Sequence, residues 1–197
     1  MGTAECSHRV RPLPGQTNAG DAAWCLRRNN LALVALIDAL GHGDEAHAEA
    51  LAVLDALNGC VDFDPCAMLQ RVHRARNGGR GSACALAALD IRSGVLKFAS
   101  VGNVFAVAFN GSWSSLVSND GTLGHRMDGP LLQTVTFLQR GLLFLYSDGV
   151  SNRGIQEHPE QMFQGEPSEV TARYLRHYGK SHDDASCLLL RFRGVVQ

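Results

Sequence analysis

Asn30-Leu31-Ala32-Leu33-Val34-Ala35-Leu36-Ile37-Asp38-Ala39-Leu40-Gly41-His42-Gly43 decides how the rest of the chain is read. The apolar run from Leu31 to Ile37 is too short for a membrane span and is bounded by polar and glycine positions, so it spells a strand buried on both faces. The run ends in a carboxylate. Asp38 at the mouth of such a strand, followed by a Gly-His-Gly turn, sets an anion where backbone freedom and solvent access begin. That placement suits metal chemistry; a turn-capping aspartate is the plainer alternative.

A chain of 197 residues with 45% hydrophobic and 19% charged residues predicts one domain, residues 1–197, with a sizeable core. The net charge of -1 supplies no global basic field for nucleic acid. No apolar window reaches the roughly 18 residues of a membrane helix, and Met1 to Gly15 lacks a signal-like run, which predicts a cytoplasmic protein. Six cysteines, at 6, 25, 60, 66, 84 and 187, form no Cys-x-x-Cys pair and read as small buried thiols.

Outward from the central stretch, Arg11 to Asp21 is turn-rich and Ala22 to Leu26 is apolar enough for a short strand, with Asp21 at its start. Asp44 and Glu45 favour the N-terminus of a helix reaching Leu57, whose Ala50, Leu51, Leu54 and Leu57 share one face; His47 on it is expected to be solvated. Asp64-Pro65 opens a second helix with Met68, Leu69 and Val72 inward. Arg71, Arg74, Arg76 and Arg80, with His73, form either a solvated basic face or a dock for an acidic or phosphorylated partner. Asn77 to Ser82 is glycine-rich but lacks the Gly-Lys-Ser/Thr ending of a phosphate-cradling loop, which argues against nucleotide binding.

Ala83–Ile91, Val95–Val101 and Val104–Phe109, separated by glycine-bearing turns, predict an antiparallel meander. Ser114–Pro130 reads as a polar, substrate-facing loop, and Thr134–Leu138 and Leu142–Tyr146 as two further strands. Ser147-Asp148-Gly149 repeats the pattern of a carboxylate after an apolar strand and before a glycine. Residues 151–166 look irregular, Ser168–Tyr178 helical with a capping serine, and Asp183-Asp184 precedes a last buried strand, Ala185–Phe192. If the strands bearing Asp38 and Asp148 run parallel and the last antiparallel to them, the carboxylates gather at one sheet edge with Asp21. Such an all-oxygen nest suits magnesium or manganese rather than zinc.

Asp38-Ala39-Leu40-Gly41-His42-Gly43, the segment from Gly81-Ser82 to Gly102-Asn103, Ser147-Asp148-Gly149 and Asp183-Asp184-Ala185-Ser186, preceded by Gly20-Asp21, resemble in order and spacing the metal-dependent serine/threonine phosphatases of the type 2C superfamily, in their SpoIIE-like branch. The resemblance spans nearly the whole chain. It implies an α+β fold, a four-layer α-β-β-α sandwich of two antiparallel sheets flanked by helices. It implies two divalent cations, Mn2+ or Mg2+, with Asp38 bridging them, Asp21 and the Ala39 carbonyl on the first, and Asp148 and Asp183 on the second, Asp184 being the alternative to Asp183. The implied reaction is hydrolysis of phosphoserine or phosphothreonine on a STAS-domain protein, a stressosome component or an anti-anti-sigma factor, with no nucleic acid or membrane involved. His42 is either the acid for the leaving oxygen or a solvent-exposed turn residue. The family usually has glycine where this chain has Ala39, which would be strained if that backbone needed a positive φ.

Overall fold

The computed structural model describes residues 2–194. Twelve strands and five helices follow one another as β1 (Thr3–Arg11), β2 (Asp21–Arg28), β3 (Leu31–Ala39), α1 (Asp44–Asn58), α2 (Pro65–Ala75), β4 (Ser82–Asp90), β5 (Val95–Val101), β6 (Phe105–Phe109), β7 (Trp113–Leu116), β8 (Gly121–Thr122), β9 (Arg126–Met127), β10 (Gln133–Thr136), β11 (Arg140–Tyr146), α3 (Arg153–Glu157), α4 (Pro159–Met162), α5 (Pro167–Tyr178) and β12 (Ala185–Arg193). Two five-stranded sheets carry the architecture, one ordered β1-β12-β11-β6-β7 and the other β10-β5-β4-β3-β2, with β8 and β9 as a small separate hairpin. All strand pairs in the two large sheets are antiparallel.

The strand β3 is buried on both faces, as its sequence predicts. Its alternation sends Ala32, Val34 and Leu36 into the core between the sheets, where they meet Leu143, Leu145, Leu188 and Leu190. Leu33, Ala35, Ile37 and Ala39 face the other way, under the apolar faces of α1 and α2 at Ala46, Ala50, Val53, Leu57, Met68, Leu69 and Val72. On the opposite side, Phe144, Cys187 and Leu189 pack beneath Val170, Tyr174 and Leu175 of α5. Three apolar layers therefore separate four layers of secondary structure, giving the expected α-β-β-α sandwich.

Several local expectations are corrected. The strand β1, polar along most of its length, pairs with β12 over its whole extent and was not legible from apolar patterning. The meander ends at β5: β6 crosses to the other sheet and pairs with β11 and β7. Residues 113–116 form β7 within the stretch expected to be a loop, and 153–157 and 159–162 are short helices within the stretch expected to be irregular. The helix α5 starts one residue earlier than expected, with Pro167 first and a Glu166/Glu169 capping box in place of a serine cap. Cys6 and Cys25 are exposed and disulfide-bonded, joining β1 to β2 across the two sheets, so they are not buried thiols; Cys84 and Cys187 are buried, and Cys60 and Cys66 partly so. Among the described residues no helix is long and apolar enough to cross a membrane.

Leu36 is fully buried between the sheets. Leu36→Ala should destabilise the fold by about 2–5 kcal/mol in urea unfolding, the usual cost of a large-to-small change in a core that cannot collapse.

Candidate metal centre

In the β2–β3 ladder Asp21 stands directly opposite Asp38, both at the end of the pair where the 13–20 loop and the Gly41-His42-Gly43 turn begin. On the other sheet β11 and β12 pair antiparallel, so the residue run after Tyr146 and the run before Ala185 emerge at a shared end. That end closes tightly. The Ser147 amide donates to the Ser186 carbonyl at 3.1 Å, and a Cβ built on Gly149 would lie 1.7 Å from the Asp184 carbonyl oxygen, so only glycine fits there.

The sheet ends are tied to one another by carboxylates. Buried Asp184 accepts the Leu13 amide on Oδ1 and the Gly20 amide on Oδ2, both at 2.7 Å. The Ser147 hydroxyl donates to Asp21 Oδ2 at 2.7 Å while its oxygen accepts the Ser186 amide at 3.0 Å. Asp38, from the β3 end of one sheet, and Asp148, from the β11 end of the other, thus face a common space although no ladder relates their strands. In place of one sheet edge shared by all the carboxylates, the two strands lie in different sheets that are apposed.

Burial, above all, raises the carboxyl of Asp38 to about 8, and the negative charges of Asp21, Asp148, Asp183 and Asp184 push in the same direction. Asp21 is raised to about 7, again chiefly by burial, against the opposing hydrogen bond from Ser147. Five carboxylates therefore share one electrostatic neighbourhood. They are not drawn into a closed cage: among the described residues no three His, Cys, Asp or Glu side chains stand as a ready set of ligands. The reason lies in their partners, since Asp184 spends both oxygens on backbone amides, Asp21 one on Ser147, and Asp148 one on the Asn103 amide at 2.6 Å.

The two aspartates of the Asp183-Asp184 doublet differ in burial and in hydrogen bonding. Asp184 is a structural anchor, whereas Asp183 is partly exposed and uses only Oδ1, to accept the Asp184 amide at 2.9 Å. His42 is exposed in the turn, its Nδ1 3.3 Å from Gln16 Nε2. His47, expected to be solvated, is instead half-buried with Nδ1 3.0 Å from the Ala19 carbonyl, bracing the loop before Asp21. The arginine cluster is largely neutralised within the protein. Arg76 forms a two-pronged pair with buried Glu49, which also accepts the Arg80 amide; Arg80 pairs with Glu45 and donates to the Leu40 carbonyl, beside the Gly41-His42-Gly43 turn; Arg71 pairs with Asp62. Glu49 carries no apolar or glycine signal that would single it out, whereas Ser147 and Asn103 lie within the Ser-Asp-Gly and Val-Gly-Asn turns.

Ala39 is free of the feared strain. It ends β3 in extended pairing opposite Ser82, its amide donates to the Gly20 carbonyl at 3.1 Å, and the one non-glycine residue with positive φ among those described is Asn29. Its methyl is fully buried. Ala39→Gly should therefore leave divalent-cation affinity within about twofold while destabilising the fold by about 1–2 kcal/mol, from the lost methyl and the freer unfolded chain; calorimetric metal titration and urea unfolding check the two parts.

Comparison with known proteins agrees with this geometry. The profile of the family described as stage II sporulation protein E (SpoIIE) matches residues 28–193. No curated protein sequence matches the chain. Among solved structures, one described with the bacterial stressosome as a modular system adapted to control secondary messenger signalling superposes with a TM-score of 0.89 at 23% identity, covering 96% of this chain and 100% of the other. RsbX in complex with magnesium superposes at 0.83 with 19% identity, covering 98% and 100%. The PP2C phosphatase domain of SpoIIE from Bacillus subtilis, with a fragment of its regulatory domain, gives 0.79 at 17% identity, covering 96% of this chain and 63% of the other. With the profile running from the end of β2 to the end of β12, and the sandwich shared throughout, the chain belongs to the SpoIIE family, a branch of the PP2C-like phosphatase fold.

Proposed function

We propose that this chain, as a single SpoIIE-like domain over residues 1–197, is a cytoplasmic, metal-dependent protein serine/threonine phosphatase. Its substrate would be phosphoserine or phosphothreonine on a STAS-domain protein of a bacterial stress-signalling system, with negative feedback of the RsbX kind. The observation that carries the reading is Asp38: a partly buried carboxylate, without a hydrogen-bond donor from the described residues, whose proton is held on by burial first and then by the charges of four other carboxylates. Such a site relieves its repulsion by taking up positive charge, and an all-oxygen donor set suits a hard divalent cation. The residues therefore fit the Mn2+ or Mg2+ pair implied by the family, as does the magnesium in the RsbX complex.

Asp38 would be shared between two cations, Asp21 and the Ala39 carbonyl serving the first and Asp148 and Asp183 the second. When bound, the cations supply an acidified water and neutralise charge on the phosphoryl oxygens. The protein's own contribution is rigidity. Asp184 and Ser147 hold the two sheet ends at fixed separation, so that ligands from both are already paid for in folding entropy. His42 lies outside this clamp on the turn beside Asp38, where its exposed ring can hand a proton to the departing serine or threonine oxygen. Gln16 Nε2 lies 3.3 Å from Nδ1 of the ring and steadies the turn.

The test is manganese-dependent phosphate release from a phosphorylated STAS-domain protein. Wild type should turn over, and Asp38→Asn and Asp148→Asn should each lower kcat at least about a hundredfold, as expected when a metal ligand is lost. Capture of the phosphoprotein without release would identify a phosphatase-fold binding module instead.

A pH dependence follows from the raised carboxyls. Asp21 and Asp38 keep protons in the native state that the unfolded chain sheds near its ordinary value of 3.8, so native stability is lost as pH rises from there through about 7 and about 8. In chelator, thermal unfolding should move to lower temperature between about pH 5 and about pH 8.5. Asp38→Asn or added Mn2+ should flatten the trend.

A further inference from the structure

The β6–β11 ladder pairs Phe105 with Tyr146, and their rings stack with centroids 5.3 Å apart. The ladder ends at that pair, and beyond it the turn leading into β6 carries Asn103 while the turn leaving β11 carries Asp148. There the Asn103 Nδ2 donates to Asp148 Oδ2 at 2.6 Å. A second donor holds the backbone of the same residue, since Lys180 Nζ donates to the Asp148 carbonyl at 2.6 Å. The Asp148 side chain sits on a turn and is only partly buried, so packing alone does not lock its rotamer.

We infer that Asn103 is a positioning residue for the metal centre: its amide engages one oxygen of Asp148, fixes the carboxylate plane, and leaves the other oxygen to face the cation. This rests on the reading of Asp148 as a metal ligand given above. Asn103 touches neither substrate nor cation and acts through Asp148. The contact crosses between the β5–β6 connection, where the chain passes from one sheet to the other, and the end of β11. Asn103 therefore couples the alignment of a ligand to the crossover between the sheets. Outer donors of this kind raise metal affinity by restricting a ligand to its binding orientation, and their removal typically weakens binding about 10- to 100-fold.

The experiment is calorimetric titration of Mn2+ into the chelator-stripped full chain, with wild type, Asn103→Ala and Asp148→Asn compared, and thermal unfolding of each stripped protein recorded. Asn103→Ala should bind manganese at least about tenfold more weakly. Its metal-free unfolding midpoint should stay within about 2 °C of wild type, because the residue is exposed and packs nothing. If Asp148→Asn loses affinity while Asn103→Ala stays within about twofold of wild type, the positioning role is overturned and the metal centre stands. If Asp148→Asn binds as wild type does, Asp148 is no ligand and both readings fall. A weaker-binding Asn103→Ala whose metal-free midpoint drops well below wild type would assign Asn103 a structural role and overturn the inference as well.

Discussion

Mutual repulsion among acidic side chains that the fold forces together is the constraint on which the site depends. Asp21 faces Asp38 across a ladder whose remaining pairs are largely apolar at this end, and the second sheet brings Asp148 and Asp183 up against them. A chain left to its electrostatics would spread these charges into solvent. The sandwich does not allow it, because β3 is buried on both faces and its end point is set by the packing of Val34 and Leu36 on one side and Ile37 on the other.

The force that opposes the repulsion is local and directional. Asp184 accepts two backbone amides from the loop preceding β2, and Ser147 links Asp21 to the strand ends of the opposite sheet. These bonds lie in poorly solvated surroundings, where each counts for more than it would in water. Glycine at 149 lets the two turns of that sheet close to van der Waals distance and so brings Ser147 and Asp184 into reach of the other sheet. Asp184 of the doublet thereby has both carboxylate oxygens engaged by backbone amides, whereas Asp183 has one free of such a bond.

Around the carboxylates, the arginines that look like a binding face in the sequence serve mainly to fasten the helical layer and the turn. Buried Glu49 gathers Arg76 and the Arg80 amide, and the Arg80 side chain reaches back over the Leu40 carbonyl to Glu45. His47 braces the loop that delivers Gly20 and Asp21. The features that surround the candidate centre are thus mostly supports, and the exposed elements closest to its mouth are His42, Leu40, Asn103 and Lys180.

Much of this was legible in one dimension. Apolar runs ending in Asp38 and Asp148, the acidic doublet before a last apolar run, and the glycines that follow two of them are local signals, because burial periodicity and turn chemistry act over a few residues. Polar β1 was not legible, since a strand at a sheet edge gains its stability from a ladder with β12 some 180 residues away and needs little apolar character. The passage of β6 to the second sheet, the disulfide between exposed Cys6 and Cys25, the different burial of Asp183 and Asp184, and the pairing of Asn103 with Asp148 were likewise decided only by the tertiary structure. Each depends on which distant segment arrives opposite, and a sequence read locally determines the strand and its terminal carboxylate but not the neighbour that holds it.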